Sequence, residues 1–93
     1  MTQGKLTGTD ASALALAADS YRGQIVIQST NGTDIAIGIG EDAVANEGIN
    51  LRVIGDVVTL RGAAARAEIY IIGNGGTASY VTCPRDAVEF RPA

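Results

Sequence analysis

The apolar residues of this chain fall in short alternating runs rather than on a helical period. The clearest run is Gln24-Ile25-Val26-Ile27-Gln28, β-branched and apolar, which leads into Ser29-Thr30-Asn31-Gly32-Thr33. Asn-Gly marks a turn there, because both residues tolerate positive φ. Asp34-Ile35-Ala36-Ile37-Gly38-Ile39-Gly40 follows with isoleucine at every second position, so Ile35, Ile37 and Ile39 share one face while Ala36 and Gly38 share the other. These two runs are expected to pair as a β-hairpin. The small residues on the second face predict that something packs very close to it, or that the strand bends.

The same pattern returns downstream. Ile49-Asn50-Leu51-Arg52-Val53 alternates, Gly55-Asp56 punctuates, and Val57-Val58-Thr59-Leu60 completes what reads as two short strands joined by a turn. Glu68-Ile69-Tyr70-Ile71-Ile72 has the composition of a buried strand, and Gly73-Asn74-Gly75-Gly76 ends it. Ala78-Ser79-Tyr80-Val81-Thr82-Cys83 is the expected return strand of a second hairpin, closed by Pro84, which cannot donate to a ladder.

Other segments are less distinct. Ala11 to Ala18 satisfies a helix on propensity, with Asp10 as N-cap, but the alternation of Leu14 and Leu16 favours a strand. Glu41 to Gly48 reads as a loop with room for one helical turn around Asp42-Ala43-Val44-Ala45, and Arg61 to Ala67 as a loop or a single turn. Asp86 to Phe90 suggests a last short edge strand before a tail ending in Pro92. Residues 1–10 lack periodicity and read as an N-terminal arm ordered by a neighbour, leaving 11–93 as a single β domain. About six to eight short strands spaced by Gly, Asn and Asp turns predict an all-β fold, a small antiparallel β-sandwich or partly closed barrel. No segment is long enough for the helix of a parallel crossover.

Composition narrows the function more than the fold. The 93 residues are 46% hydrophobic and 18% charged, so a packed core is expected. That core is thin, made of Ala, Ile, Val and Leu with no Trp, one Phe and three Tyr. A chain this size buries only about two-thirds of its unfolded surface, so self-association would add stability. The net charge of −3 and scattered basic residues argue against nucleic acid and against an anionic membrane. Cys83, the single cysteine, forms no internal disulfide and reads as a small buried hydrophobe at a strand end. Residues 1–10 do not resemble a signal peptide, and the longest apolar run, Ala13 to Ala18, is too short to span a bilayer. Synthesis and folding in a cytoplasm are expected.

Candidate chemistry is sparse. Histidine is absent, which removes the usual general base, the commonest metal ligand and every Ser-His-Asp triad. The carboxylates lack the spacing of a calcium loop; Glu41-Asp42 is the most ligand-like pair. Gly73-Asn74-Gly75-Gly76 has no following Lys-Ser/Thr and no helix behind it, so it reads as a turn rather than a phosphate cradle. Asn31-Gly32-Thr33 matches a glycosylation acceptor, but without a secretory signal it too reads as a turn. Tyr70 and Tyr80 are expected to fill the core with their hydroxyls at the rim. No catalytic, cofactor or metal residue is assigned, and the expected class is a structural or binding protein rather than an enzyme. The arginines Arg22, Arg52, Arg61 and Arg66 are candidates for contacts with a partner, since arginine is favoured at interfaces.

From Tyr21 to Gly73 the chain resembles a class of small phage-encoded virion proteins. The matching residues are Arg22, Ile25-Val26-Ile27-Gln28, Asn31-Gly32, Ile35-Ala36-Ile37-Gly38, Gly48-Ile49-Asn50-Leu51 and Ile69-Tyr70-Ile71-Ile72-Gly73. Ser29 stands where that class has Asn, and Val53-Ile54 where it has Pro-Gly. The resemblance implies a small β-sandwich on the outer capsid surface of a tailed-phage virion, a decoration or cement protein, or alternatively a tail or fibre component that binds a host receptor or glycan. It implies no catalysis and no cofactor. The expected partners are the major capsid protein and the chain itself, as a homotrimer. Thr2, Lys5 and Thr7 of the arm, the four arginines and Tyr80 are the residues expected at the contacts.

Overall fold

The structure, a computed structural model, describes residues 2–84. Its elements are β1 (Thr2–Thr7), β2 (Ala13–Leu16), β3 (Arg22–Ser29), β4 (Ile35–Ile39), β5 (Ile49–Leu51), β6 (Val57–Arg61), the single-turn helix α1 (Ala63–Arg66), β7 (Ile69–Ile72) and β8 (Thr77–Pro84). They form two four-stranded antiparallel sheets, β1-β8-β3-β6 and β2-β7-β4-β5. The small antiparallel β-sandwich expected from the alternating runs is therefore the fold. The suggested edge strand at Asp86 to Phe90 lies outside the described residues.

The register reveals how the chain makes this sandwich. Residue numbers of paired positions sum to 84 at Thr2↔Thr82 and Ala13↔Ile71, to 85 at Gln24↔Arg61 and to 86 at Ile35↔Leu51. A nearly constant sum means that the described residues form one long antiparallel hairpin, folded back on itself at the loop between β4 and β5. Two further pairings, β3 with β8 and β4 with β7, roll that hairpin into two layers. This strand order is that of a jelly roll.

The expected hairpins between neighbours are consequently wrong in their partners, although their strands are right. β3 and β4 lie in different sheets, so Asn31-Gly32 turns a corner between layers instead of closing a hairpin. β5 and β6 are divided in the same way, as are β7 and β8. Only β4 and β5 are both consecutive and paired, across the Glu41–Gly48 loop, which contains no helical turn. The N-terminal segment read as an arm also needs correction. Thr2–Thr7 is an edge strand paired with β8 along its whole length. Ala13–Leu16 is a strand, as its leucine alternation predicts, with a bulge between Leu14 and Leu16.

The core lies between the sheets. Ile25 and Ile27 of β3 meet Ile35 and Ile37 of β4 and Ile69 and Ile71 of β7, with Leu6, Leu51, Leu60, Ala65 and Ala78 around them. Apart from Ser29, the largest fully buried side chains are isoleucines, whose branching suits a pleated sheet. Each contributes about 1.5–3 kcal/mol by leaving water. Small residues let other parts of the chain come close. At Gly38, facing away from the core, the Glu41–Ala43 segment lies so near that a Cβ would sit 2.4 Å from Glu41 O. The alternation of small residues along β4 predicts this close packing.

Loops at the Ser29 end of the sandwich are stitched together by hydrogen bonds. Ser29 N donates to Asp56 O (2.8 Å) and Thr30 N to Thr77 O (3.0 Å), while Gly8 N donates to Gly76 O (2.8 Å). The buried Ser29 hydroxyl accepts from Gly32 N at 3.2 Å, and the Asp56 carboxylate accepts from the backbone of Arg52 and Val53. Side chains thus satisfy turn amides that the ladders leave open.

Candidate interaction surface

Alternation along β1, β8, β3 and β6 sends Leu6, Ala78, Ile25, Ile27 and Leu60 inward and the residues between them outward. The registers align the outward residues in rows across the sheet. One row is Lys5–Ser79–Gln28–Val57, the next Gln3–Val81–Val26–Thr59, and a third Cys83–Gln24–Arg61. Among the described residues, this face carries Lys5 and Arg61 and no carboxylate, although the chain as a whole is acidic. Its exposed members Gln3, Lys5, Thr7, Gln28, Val57, Thr59 and Arg61 form an open polar and aliphatic sheet surface. Val53 (63% exposed), Ile54 (67%) and Val57 (56%) extend it with aliphatic side chains at the β5–β6 corner.

The outer face of the other sheet differs in both cover and charge. The Glu41–Ala43 segment lies over Gly38, held by Ala43 N donating to the Ser12 hydroxyl (2.9 Å), which in turn donates to Asp42 Oδ1 (3.3 Å). A depression of about 240 Å³ opens beside it, lined by Ile37, Gly38, Glu41, Asp42, Glu47 and neighbours. Its volume is below the range of about 300–1,000 Å³ usual for small-molecule pockets. Among the described residues, no group of three His, Cys, Asp or Glu side chains converges as a metal ion requires.

Tyr70 lies on this acidic side, opposite in direction to Ile69 and Ile71, and its hydroxyl donates to Glu68 Oε1 at 3.3 Å. The Glu68 charge, with partial desolvation, that hydrogen bond and Asp42 behind it, raises the phenol above its ordinary pKa of 10.0. Raised affinity for the proton means that the neutral phenol is favoured in the fold. The stabilisation is present below pH 10 and is lost as pH rises through the folded-state value. In a background with Tyr21 and Tyr80 changed to Phe, Glu68→Gln is expected to lower the alkaline ultraviolet transition of Tyr70. An unchanged transition would remove Glu68 as its cause.

The residues proposed for contacts separate in the structure. Lys5 and Thr7 on the β1 edge and Arg61 on the β6 edge share the acid-free face, and Thr2 belongs to β1 through its backbone. Arg52 is exposed at the β5–β6 corner, where its Nη2 donates to Asn46 Oδ1 (3.4 Å), and Arg66 is half-buried in α1. Arg22 belongs to the interior and not to a contact surface. It is 7% exposed, with Nε donating to Ala65 O and Nη2 to Ala67 O (2.8 Å), so it ties α1 to β3. Tyr80 is likewise an inward residue packed on the core, its ring occupying the space where a Cβ on Gly4 would stand. Tyr70, expected to help fill the core, instead covers the opposite sheet face, and Cys83 is half-buried rather than buried. Missing from the sequence reading are Val53, Ile54 and Val57. Their clustering depends on a corner between sheets that local pattern does not reveal. Among the described residues no helix is long and apolar enough to cross a membrane. No family model, curated protein or solved structure matches the chain.

Proposed function

We propose that this chain is a structural binding protein which lays the acid-free face of β1-β8-β3-β6 against a repeating protein surface, in the role of a capsid decoration protein on a tailed-phage virion. The observation that supports this reading is the segregation of charge. Among the described residues of this acidic chain, one whole sheet face is free of carboxylates, with Lys5 and Arg61 at its two edges and aliphatic side chains at the adjoining corner. Such a face suits a broad, flat contact with an uncharged or mildly acidic partner, since buried like charges would oppose docking. Many weak contacts on a lattice then give strong net attachment.

The proposed partners are the major capsid protein and two further copies of the chain in a homotrimer on the outer capsid surface. The alternative role in a tail or fibre, binding a receptor or glycan, needs an exposed aromatic platform. Tyr70 and Tyr80 are half-buried and on opposite sheets, which gives that alternative less support.

Gln28→Glu with Thr59→Glu adds two carboxylates to exposed positions of the proposed contact face. The double variant is expected to keep its melting temperature and lose at least about tenfold in co-sedimentation with capsids stripped of the protein, the equivalent of about 1.4 kcal/mol. Glu47→Gln, on the acidic side, is expected to bind as the parent does. Full binding by a folded double variant would overturn the choice of face; a monomer that never sediments with capsids would overturn the proposed role.

A further inference from the structure

The chain contains two Asn-Gly pairs, Asn31-Gly32 and Asn74-Gly75, which chemistry makes equally prone to spontaneous deamidation. In that reaction the backbone nitrogen of the glycine attacks the asparagine Cγ, forming a succinimide and releasing the side-chain nitrogen as ammonia. Water then opens the ring at either carbonyl, giving aspartate or isoaspartate. Glycine favours the attack because it leaves the nitrogen unhindered and the backbone free to rotate.

The fold treats these two pairs differently. The Asn31 side chain is held at both ends: Nδ2 donates to Gly75 O (2.8 Å), while Oδ1 accepts from Thr33 N (3.1 Å) and Thr77 N (3.2 Å). The would-be nucleophile is also engaged, since Gly32 N donates to the buried Ser29 hydroxyl (3.2 Å). Attack at Asn31 therefore requires several hydrogen bonds to open together and a corner between the two sheets to come apart. Asn74 is exposed at the tip of the β7–β8 connection, and its side chain makes no hydrogen bond to any described residue. The turn is closed around it, with Gly76 N donating to Gly73 O (2.9 Å), a bond that leaves both reacting groups of Asn74-Gly75 free.

We propose that Asn74 is a spontaneous modification site of the folded protein, with water as co-reactant, and that the fold protects Asn31 from the same reaction. Conversion of Asn74 adds one negative charge at the tip of this connection. In the isoaspartate product it also inserts a methylene into the backbone beside Gly75, whose carbonyl is one of Asn31's anchors.

The test is to hold the full-length protein at mildly alkaline pH and map both peptides by mass spectrometry over time, with isoaspartyl methyltransferase labelling as a second readout. Opening several hydrogen bonds at once predicts that Asn74 converts on the order of a hundredfold faster than Asn31 in the native state. In concentrated urea the two rates are expected to converge, which shows that protection comes from the fold and not from neighbouring residues. Ser29→Ala, which releases the Gly32 amide, is expected to speed conversion at Asn31 in folded protein while leaving Asn74 unchanged. Equal native rates at the two sites would overturn the inference, as would a ratio that persists in urea, or a native Asn74 no faster than Asn50, which precedes leucine.

Discussion

Arg22→Met is expected to lower the free energy of unfolding by about 4 kcal/mol, a large share of the 5–15 kcal/mol typical of a domain. Two separate losses contribute. The buried Ala65 carbonyl and the half-buried Ala67 carbonyl each lose a donor, and an unsatisfied buried carbonyl costs about 1–3 kcal/mol. The helix α1 that holds Ala65 and ends before Ala67 has only four residues, far too short to hold itself, so it depends on this clamp and on Ala65 packing into the core. Arg22→Lys is expected to recover less than half of the loss, because a point ammonium cannot span the two carbonyls that the planar guanidinium reaches together. Urea denaturation gives the magnitude. Hydrogen exchange locates it: the Asp19 amide, bonded to Arg66 O at 3.0 Å, should lose protection ahead of the sheets. A methionine variant within about 0.5 kcal/mol of the parent would mean that the clamp contributes nothing beyond ordinary surface substitutions.

That clamp was visible in the sequence only as an arginine before an apolar run. Residue type gave it a preference for interfaces; its burial follows from α1 closing over the start of β3, a contact between residues more than forty positions apart. The strands themselves were legible, because alternation is a local signal and an inward isoleucine at every second position leaves little choice of face. Their partners were not legible. Nearest-neighbour pairing is the economical expectation when turn residues separate two strands, yet Asn31-Gly32 also suits a corner between layers, and only the register distinguishes the two uses.

Thr2–Thr7 escaped notice for a related reason. Gly4 weakens its strand signal, and that glycine is needed to admit the Tyr80 ring, which lies far away in sequence and adjacent in space. The acid-free face has a mixed status. Each strand's outward residues can be read from alternation, but the fact that four strands bring theirs side by side depends on the rolled hairpin. A single wrong pairing would scatter Lys5, Thr59 and Arg61 over different surfaces.

Gly38→Val provides the sharpest check on that rolled hairpin, with an expected loss of about 3 kcal/mol. A Cβ at this position would lie 2.4 Å from Glu41 O, 2.8 Å from Ala43 N and 2.9 Å from Asp42 C. All three are backbone atoms, so no side chain can swing aside and the whole Glu41–Ala43 segment must lift. Lifting it exposes Ala43, which is 4% exposed in the fold, and breaks the Ser12 hydrogen bonds that pin the segment to the start of β2. Gly40→Ala serves as the control, since Gly40 sits at φ 74 with nothing within 4 Å of its Cβ position. There the cost is conformational alone, about 1 kcal/mol. If the valine at 38 proved no more damaging than the alanine at 40, the β4–β5 loop would not be resting on the sheet. The chain's fold-back point would then lack its anchor on the outer face of the β2-β7-β4-β5 sheet.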